Sequence, residues 1–202
     1  MYNSQEIVSI SNRNIPSLIT LPAELVYSIL DNLDMLTILI SFCNVCKRLK
    51  NITNTYHRYK TLIEIHLRCN KIDNQKTKSL TDVLKTNTIL TTLVLSNNTI
   101  STDGAQYLAN LLNNNKTLTT LILSDNRIGS QGVKYLANAL YNNKTLTKLH
   151  LRLNRINSDG AKYLADALHN NNTLTELHLG WNDIGNQGVQ YLSNALYNNH
   201  VR

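Results

Sequence analysis

Apolar and polar positions repeat along most of the chain with one fixed period. Four regular copies follow one another without insertion or deletion and begin at Ile89, Thr117, Thr145 and Thr173. A weaker copy of the same length precedes them at residues 61–88. A unit of this length cannot bury its apolar face alone and must stack on its neighbours. The period therefore predicts a solenoid of five stacked repeats.

Alternating leucines open each repeat and are followed by an asparagine and an isoleucine, in the pattern L-x-x-L-x-L-x-x-N-x-I. The matching residues are Leu62, Ile65, Leu67, Asn70, Ile72; Leu90, Leu93, Leu95, Asn98, Ile100; Leu118, Leu121, Leu123, Asn126, Ile128; Leu146, Leu149, Leu151, Asn154, Ile156; and Leu174, Leu177, Leu179, Asn182, Ile184. Alternation predicts a short strand with one buried face, and successive strands should pair in parallel. The asparagine is expected to be buried and to bond backbone groups at the bend.

A helix should follow each bend, because apolar residues then recur at helical spacing, as in Ala105, Leu108 and Leu112. A glycine stands ahead of each regular helical stretch, where it provides backbone freedom or close packing. These glycines are Gly104, Gly132, Gly160 and Gly188. Asparagine-rich segments are expected to end the helices in left-handed geometry. Tyrosines at one helical position are predicted to stack as a ladder, and they are Tyr107, Tyr135, Tyr163 and Tyr191.

Length and pattern resemble the ribonuclease-inhibitor class of leucine-rich repeats. The resemblance implies an α/β leucine-rich-repeat solenoid over residues 61–202, with a parallel sheet inside the curve and helices outside. The last repeat reads like an interior one, and the sequence stops soon after it. Its outer face is therefore expected to be exposed. Three interpretations are open: the chain continues in its natural form, it self-associates at this face, or it tolerates a frayed end.

The N-terminal part has a different composition. Residues 1–17 are polar and are predicted to be a flexible tail. Residues 18–60 carry apolar side chains at helical spacing, as at Leu25, Ile29 and Leu33, which predicts a small all-α module.

This module resembles an F-box in four segments: Leu21-Pro22-x-Glu24-Leu25-Val26, Ile29-Leu30-x-x-Leu33-Asp34, Ile38-Leu39 and Val45-Cys46-Lys47-Arg48. The resemblance implies binding to the Skp-type adaptor of a cullin-RING ubiquitin ligase. The implied contact residues are Leu21, Pro22, Glu24, Leu25, Ile29, Leu30, Leu33 and Val45. The alternative is that these helices only cap the first repeat and shield its core from water.

Charge and composition narrow the partners and the compartment. The net charge is +7, but Lys and Arg are scattered with no basic arm, so nucleic-acid binding is not expected. No apolar stretch approaches the length of a membrane span. Three cysteines cannot form a disulfide framework, and the first residues lack the apolar core of a signal peptide. We expect an intracellular protein, in the cytoplasm or nucleus, or in a host cytosol if a microbe delivers it.

Residues that differ between repeats indicate where a partner binds. The predicted partner site joins the fourth and fifth repeats on the concave face and consists of His150, Arg152, Leu153, Arg155, Glu176, His178 and Trp181. An exposed Trp ringed by Arg and His is typical of a binding hot spot. The alternative is that Trp181 folds over the bare C-terminal edge.

Catalytic, metal and cofactor sites are not expected. His150 and His178 fall at equivalent positions with Glu176 on the same face, but solvated or partner-binding histidines are favoured over zinc. Cys43 and Cys46 are interpreted as core thiols. Cys69 near His66 lacks a third group to orient the pair.

The predicted function is therefore non-enzymatic protein binding. The leading hypothesis is the substrate-recognition subunit of a Skp-cullin-F-box ubiquitin ligase, with a protein substrate of unknown identity on the concave face. The alternative is a non-catalytic scaffold or inhibitor-like binding protein.

Overall fold

The computed structural model describes residues 63–197. The chain divides into two compact units at residues 1–56 and 57–202, and the described residues all belong to the second unit. The predicted adaptor-binding residues, from Leu21 to Val45, lie outside the described residues.

Within residues 63–197, five three-residue strands alternate with five helices. The strands are β1 (Glu64–His66), β2 (Thr92–Val94), β3 (Thr120–Ile122), β4 (Lys148–His150) and β5 (Glu176–His178). The helices are α1 (Asn74–Leu84), α2 (Thr102–Asn114), α3 (Gly129–Asn142), α4 (Ser158–Leu168) and α5 (Gly185–Leu196). The strands form one sheet in sequence order, and all neighbouring strands are parallel. The predicted leucine-rich-repeat architecture is confirmed.

The pairing register keeps equivalent residues of successive repeats side by side. Leu93 pairs with Leu121 and Leu121 with Leu149, so that each step along the sheet advances the chain by one repeat. Because side chains alternate across a strand, the central leucines point into the core while the flanking residues point outward. Helices pack on the other side of these leucines and bury their own apolar faces, such as Leu136, Ala139 and Leu140 of α3. Burial of each such leucine is worth about 2 kcal/mol.

Asparagines after the strands bond backbone groups at the bend, as predicted, and those after β2 to β5 also reach the preceding repeat. The Asn126 side-chain amide donates to Leu95 O of the second repeat and to Leu123 O of its own strand, at 3.0 and 2.9 Å. Its Oδ1 accepts from Ile100 N at 3.1 Å. Asn98, Asn154 and Asn182 bond the preceding repeat in the same way. Each asparagine satisfies backbone groups that would otherwise be buried without partners.

A second row of asparagines lies after the helices, and the prediction of left-handed geometry there is wrong. Asn115 and Asn143 have extended backbones, with φ/ψ of −77°/132° and −75°/129°. Both side chains are buried. The Asn115 Oδ1 accepts from the backbone N–H of Thr117 and Leu118 at 2.9 and 2.7 Å, and its amide donates to Asn87 O. These residues therefore hold the turn into the next strand through their side chains.

The repeated glycines lie inside the first turn of each helix, and close packing explains them. A Cβ on Gly132 would come within 2.7 Å of Ile128 Cγ2 and 3.1 Å of Ala105 Cβ. Its backbone is not in the left-handed region, in contrast to Gly129 with φ +66°. The glycine therefore lets α3 approach the preceding repeat.

The tyrosine positions do not form the predicted stack of rings. A lysine of the preceding helix lies over the ring instead: Lys134 Nζ is 5.3 Å from the Tyr163 centroid, and Lys162 Nζ is 5.8 Å from that of Tyr191. Cation–π contacts therefore link neighbouring helices on the outer surface.

The fifth repeat is the least buried part of the described chain. Leu177, Leu179 and Ile184 are half-buried, whereas their counterparts in the fourth repeat are fully buried. Val189 of α5 is 57% exposed. Among residues 63–197 no helix is long and apolar enough to cross a membrane.

Candidate functional site

Strands β4 and β5 bring three of the predicted site residues together on the concave face. His150 pairs with His178 in the register, and Lys148 pairs with Glu176. The residues between them, Leu149 and Leu177, point to the opposite side. Because these strands are parallel and in register, residues one repeat apart become lateral neighbours.

The Glu176 carboxylate bridges the Nε2 atoms of the two imidazoles. Its Oε1 is 2.9 Å from His150 Nε2 and 3.1 Å from His178 Nε2. The two rings are stacked, with centroids 4.0 Å apart and planes within 3° of parallel. We call His150, Glu176 and His178 the histidine cluster.

Lys148 holds the other oxygen of the same carboxylate. Its Nζ lies 2.9 Å from Glu176 Oε2. This hydrogen bond, followed by the one from His150, lowers the pKa of Glu176 below its ordinary value of 4.5. The carboxylate is therefore ionised at neutral pH. Lys148 was not among the predicted site residues. It occupies the same position in the fourth repeat as Glu176 does in the fifth, so the two residues pair directly across the strands.

The first repeat carries only part of this arrangement. Glu64 and His66 on β1 form a pair at 3.0 Å between Oε2 and Nε2. The residue opposite His66 on β2 is Val94, which offers no polar side-chain atom. Both side chains of the pair are more than half exposed. The combination of two histidines around one glutamate is therefore particular to β4 and β5 within the described residues.

A second group of predicted site residues lies at the turn that follows each strand. The second residue after the last leucine of the pattern has a left-handed backbone in every repeat, with φ between 53° and 61°. These residues are Cys69, Asn97, Asp125, Leu153 and Trp181. Asn and Asp tolerate this conformation, but bulky side chains are strained in it. The sequence carried a signal of this geometry in Asn97 and Asp125, which are typical left-handed residues.

Trp181 is 75% exposed and turns toward the fourth repeat. The Arg152 guanidinium carbon lies 5.5 Å from the centroid of its ring, within reach of a cation–π contact. Leu153 is 41% exposed at the equivalent turn. The indole therefore faces the neighbouring turns rather than folding over the outer edge of the fifth repeat.

These turns line a shallow groove of about 420 Å³. We call it the tryptophan groove, and its lining residues are Asn97, Asn98, Thr99, Asp125, Asn126, Arg127, Leu153, Arg155, Trp181 and Asp183. The groove contains Arg155 and the two apolar residues of the predicted site. Arg127, Asp125 and Asp183 were not among the predicted site residues, although they occupy the same repeat positions as Arg155, Leu153 and Trp181.

The predicted site is thus divided into two adjoining surfaces. His150, Glu176 and His178 project from the strands, whereas Leu153, Arg155 and Trp181 lie at the turns. Arg152 connects the two, because it follows β4 and contacts the indole. Such a surface offers an aromatic anchor, apolar contact and charged groups, which is the composition of protein-binding hot spots.

Comparison with known families assigns both parts of the chain. A family model described as F-box domain matches residues 18–61. A model described as Leucine Rich repeat matches residues 86–109, 114–137, 142–165 and 170–193. The first repeat, which contains β1 and α1, precedes these matches. No curated protein matches the sequence.

Solved structures with a similar fold include domains of leiomodin-1 and of a tropomodulin. The leiomodin-1 actin-binding site 2 aligns with a TM-score of 0.61 at 26% identity, covering 69% of this chain and 82% of that one. The tropomodulin C-terminal domain of Caenorhabditis elegans aligns with a TM-score of 0.59 at 16% identity, covering 68% and 83%. The second likeness concerns the fold alone. F-box domains and leucine-rich repeats typically bind other proteins without catalysis, and protein interaction is the general role of this chain.

Proposed function

We propose that this chain, an F-box protein with leucine-rich repeats of the ribonuclease-inhibitor type, is the substrate-recognition subunit of a Skp-cullin-F-box ubiquitin ligase. In this proposal the F-box at residues 18–61 binds the Skp-type adaptor, and the repeats bind a protein substrate. Other subunits of the ligase perform the catalysis. The protein then acts in the cytoplasm or nucleus of a eukaryotic cell, or in a host cytosol if a microbe delivers it.

The observation that carries the substrate-binding part is the strained, exposed pair Leu153 and Trp181. A left-handed backbone costs roughly 1–2 kcal/mol for an ordinary residue, and Asn97 and Asp125 avoid most of that cost at the same position. Leu153 and Trp181 are 41% and 75% exposed, so burial within the chain offsets only part of that cost. Residues strained in this way cluster at active sites and ligand clamps. Binding of a partner against Leu153 and Trp181 would bury both side chains.

The tryptophan groove also indicates the chemistry of the substrate segment. Trp181 and Leu153 offer an apolar contact, while Arg127 and Arg155 alternate with Asp125 and Asp183 around it. We expect a segment with one apolar anchor residue and flanking polar groups of both signs. Truncation of a central aromatic hot spot typically costs about 2 kcal/mol or more of binding free energy.

Gel filtration with a Skp-type adaptor tests the ligase part of the proposal. The full chain should co-elute with the adaptor, and the double variant Leu21→Ala/Pro22→Ala should not, because the F-box resemblance places these residues in the contact. Trp181→Asn serves as the matched control and should still co-elute. Failure of the unsubstituted chain to co-elute would leave the alternative of a non-catalytic scaffold or inhibitor-like protein.

Quantitative mass spectrometry of captured partners tests the substrate part. Partners lost on Trp181→Asn but retained on Tyr141→Ala are the candidate substrates. Tyr141 is a suitable control because it is an exposed aromatic, 51% accessible, on helix α3 rather than in the groove. A partner set unchanged by Trp181→Asn would contradict the assignment of the groove. That result would not contradict adaptor binding, which the gel-filtration experiment tests separately.

A further inference from the structure

The histidine cluster has the composition and spacing of a metal site. One ligand atom from each of His150, Glu176 and His178 can be chosen so that all lie within 4.8 Å of one another. Imidazole nitrogens with a carboxylate oxygen are a ligand set that zinc accepts. Among residues 63–197 this is the one group of three such side chains close enough to share an ion.

The three ligand atoms are close enough to share an ion once one imidazole turns. Zinc is bound at about 2.0–2.2 Å by nitrogen and oxygen ligands, so two ligand atoms of a tetrahedral site lie roughly 3.3 Å apart. The Glu176 Oε1 is 2.9 and 3.1 Å from the two Nε2 atoms. The two rings are stacked within 3° of parallel, so their Nε2 lone pairs converge on one ion only after one ring turns out of the stack. Rotation of the exposed His178 side chain can provide that movement, since it is 53% accessible.

The surroundings orient the carboxylate but also limit the affinity. Lys148 engages Oε2 and leaves Oε1 directed at the histidines. Such an outer contact fixes the orientation of a ligand. The lysine also places a positive charge near the ion, although its side chain is half exposed and screened by solvent. We therefore expect micromolar rather than nanomolar affinity.

We propose that His150, Glu176 and His178 bind one Zn²⁺ ion on the concave face, with a fourth coordination position open to water or to a donor atom of a bound protein. Each histidine would coordinate through Nε2 and carry its proton on Nδ1. No covalent chemistry is involved, and the site does not require the adaptor. The outcome is therefore independent of whether the chain serves in a ligase.

The chain contains a natural control on the same face. Glu64 and His66 on β1 repeat the carboxylate–imidazole pair, but Val94 replaces the second histidine. Two ligands hold zinc much more weakly than three, so this pair should not bind the ion at micromolar concentration.

Isothermal titration calorimetry of the full, untagged chain with ZnCl₂ tests the proposal. We expect one site of micromolar affinity per chain, and each of His150→Gln, Glu176→Gln and His178→Gln should weaken it by about tenfold or more. His66→Gln should leave the affinity unchanged. Titration with Co²⁺ should add the visible absorption bands of a four-coordinate site in the unsubstituted chain and not in His178→Gln.

Two results would overturn the proposal. The first is zinc binding no tighter in the unsubstituted chain than in the His150→Gln/His178→Gln double variant. The second is a tight site that all three single substitutions leave intact, which would place the ion elsewhere, for example on cysteine. Circular dichroism of each variant must match that of the unsubstituted chain, and His178→Gln should pass this control because its side chain is largely exposed.

Discussion

The fourth and fifth repeats share their framework residues, yet the same residues have different surroundings in each. Leu149, Leu151 and Ile156 are fully buried, whereas Leu177 and Ile184 are only half-buried. The fourth repeat packs between two neighbours, and within the described residues the fifth packs against one. In a solenoid the adjacent repeat buries the apolar residues of each unit. The same repeat sequence is therefore well buried between two neighbours and poorly buried beside one.

The candidate site extends across this difference in stability. Both the histidine cluster and the tryptophan groove combine residues of the fourth and fifth repeats. Regions with little buried apolar surface open at lower free energy than the core. The geometry of both surfaces therefore depends on the fifth repeat remaining packed against the fourth.

The largest effect should come from removing one central leucine. We expect Leu149→Ala to lower the free energy of unfolding by about 3–4 kcal/mol, because it leaves a cavity in a close-packed core. Leu177→Ala should lower it by about 1–2 kcal/mol, since that side chain is already partly exposed. Urea unfolding of the full chain followed by circular dichroism measures both. Equal effects would mean that the fifth repeat is as tightly packed as the fourth.

A smaller difference is expected for the strand-end asparagines. Asn154 is fully buried and its amide donates to Leu123 O and Arg152 O, so Asn154→Ala should cost about 2–3 kcal/mol. Asn182 makes equivalent bonds but is half-buried, and water can replace its side chain. We expect about 1 kcal/mol for Asn182→Ala in the same denaturation experiment. An Asn182→Ala effect as large as that of Asn154→Ala would contradict this explanation.

The left-handed turns after the strands allow the fifth repeat to be compared with the second. Trp181→Asn should raise the free energy of unfolding by about 1 kcal/mol, because it relieves a left-handed residue that buries little surface. The reciprocal change Asn97→Trp should lower it by a similar amount, since Asn97 has φ 53°. Thermal unfolding of the two variants measures both changes in stability. A destabilised Trp181→Asn protein would show that the indole contributes to the core.

The smallest effect concerns the contact between Lys148 and Glu176. Lys148→Met should raise the pKa of Glu176 toward 4.5, because Lys148 makes the largest contribution to lowering it. A carboxylate whose pKa is lowered by folding stabilises the folded state at pH values above its ordinary pKa. This stabilisation is lost as the pH falls through the lowered pKa of the folded state. The side-chain carboxyl resonance of Glu176, followed by NMR between acid and neutral pH, measures the change. Lys144→Met is a suitable control, because Lys144 Nζ contacts Asn170 O instead.

Much of the fold was predictable from the sequence, because the same pattern of residues recurs in each repeat. The strand positions, the parallel order and the bonding role of Asn98 and Asn126 follow from alternation and period. The role of Asn115 and Asn143 was not predicted correctly. An asparagine after a helix fits either a left-handed backbone or a side-chain turn, and the choice depends on burial against the preceding repeat.

The candidate site was predictable as a list of residues but not as an arrangement. The variable positions of the fourth and fifth repeats indicated His150, His178 and Trp181. The groove residues Arg127 and Asp125 belong to the third repeat, and only the structure shows that they share one groove with Trp181.

The sequence by itself determined the repeat length, the register and the face on which each side chain lies, because a fixed repeat period and the alternation of side chains along each strand encode them locally. The tertiary structure alone decided that Glu176 bridges the Nε2 atoms of two stacked imidazoles, that Leu153 and Trp181 occupy strained turns, and that the fifth repeat is poorly buried. These properties arise between repeats, where distance, backbone conformation and the presence of a neighbour are set by packing rather than by local pattern.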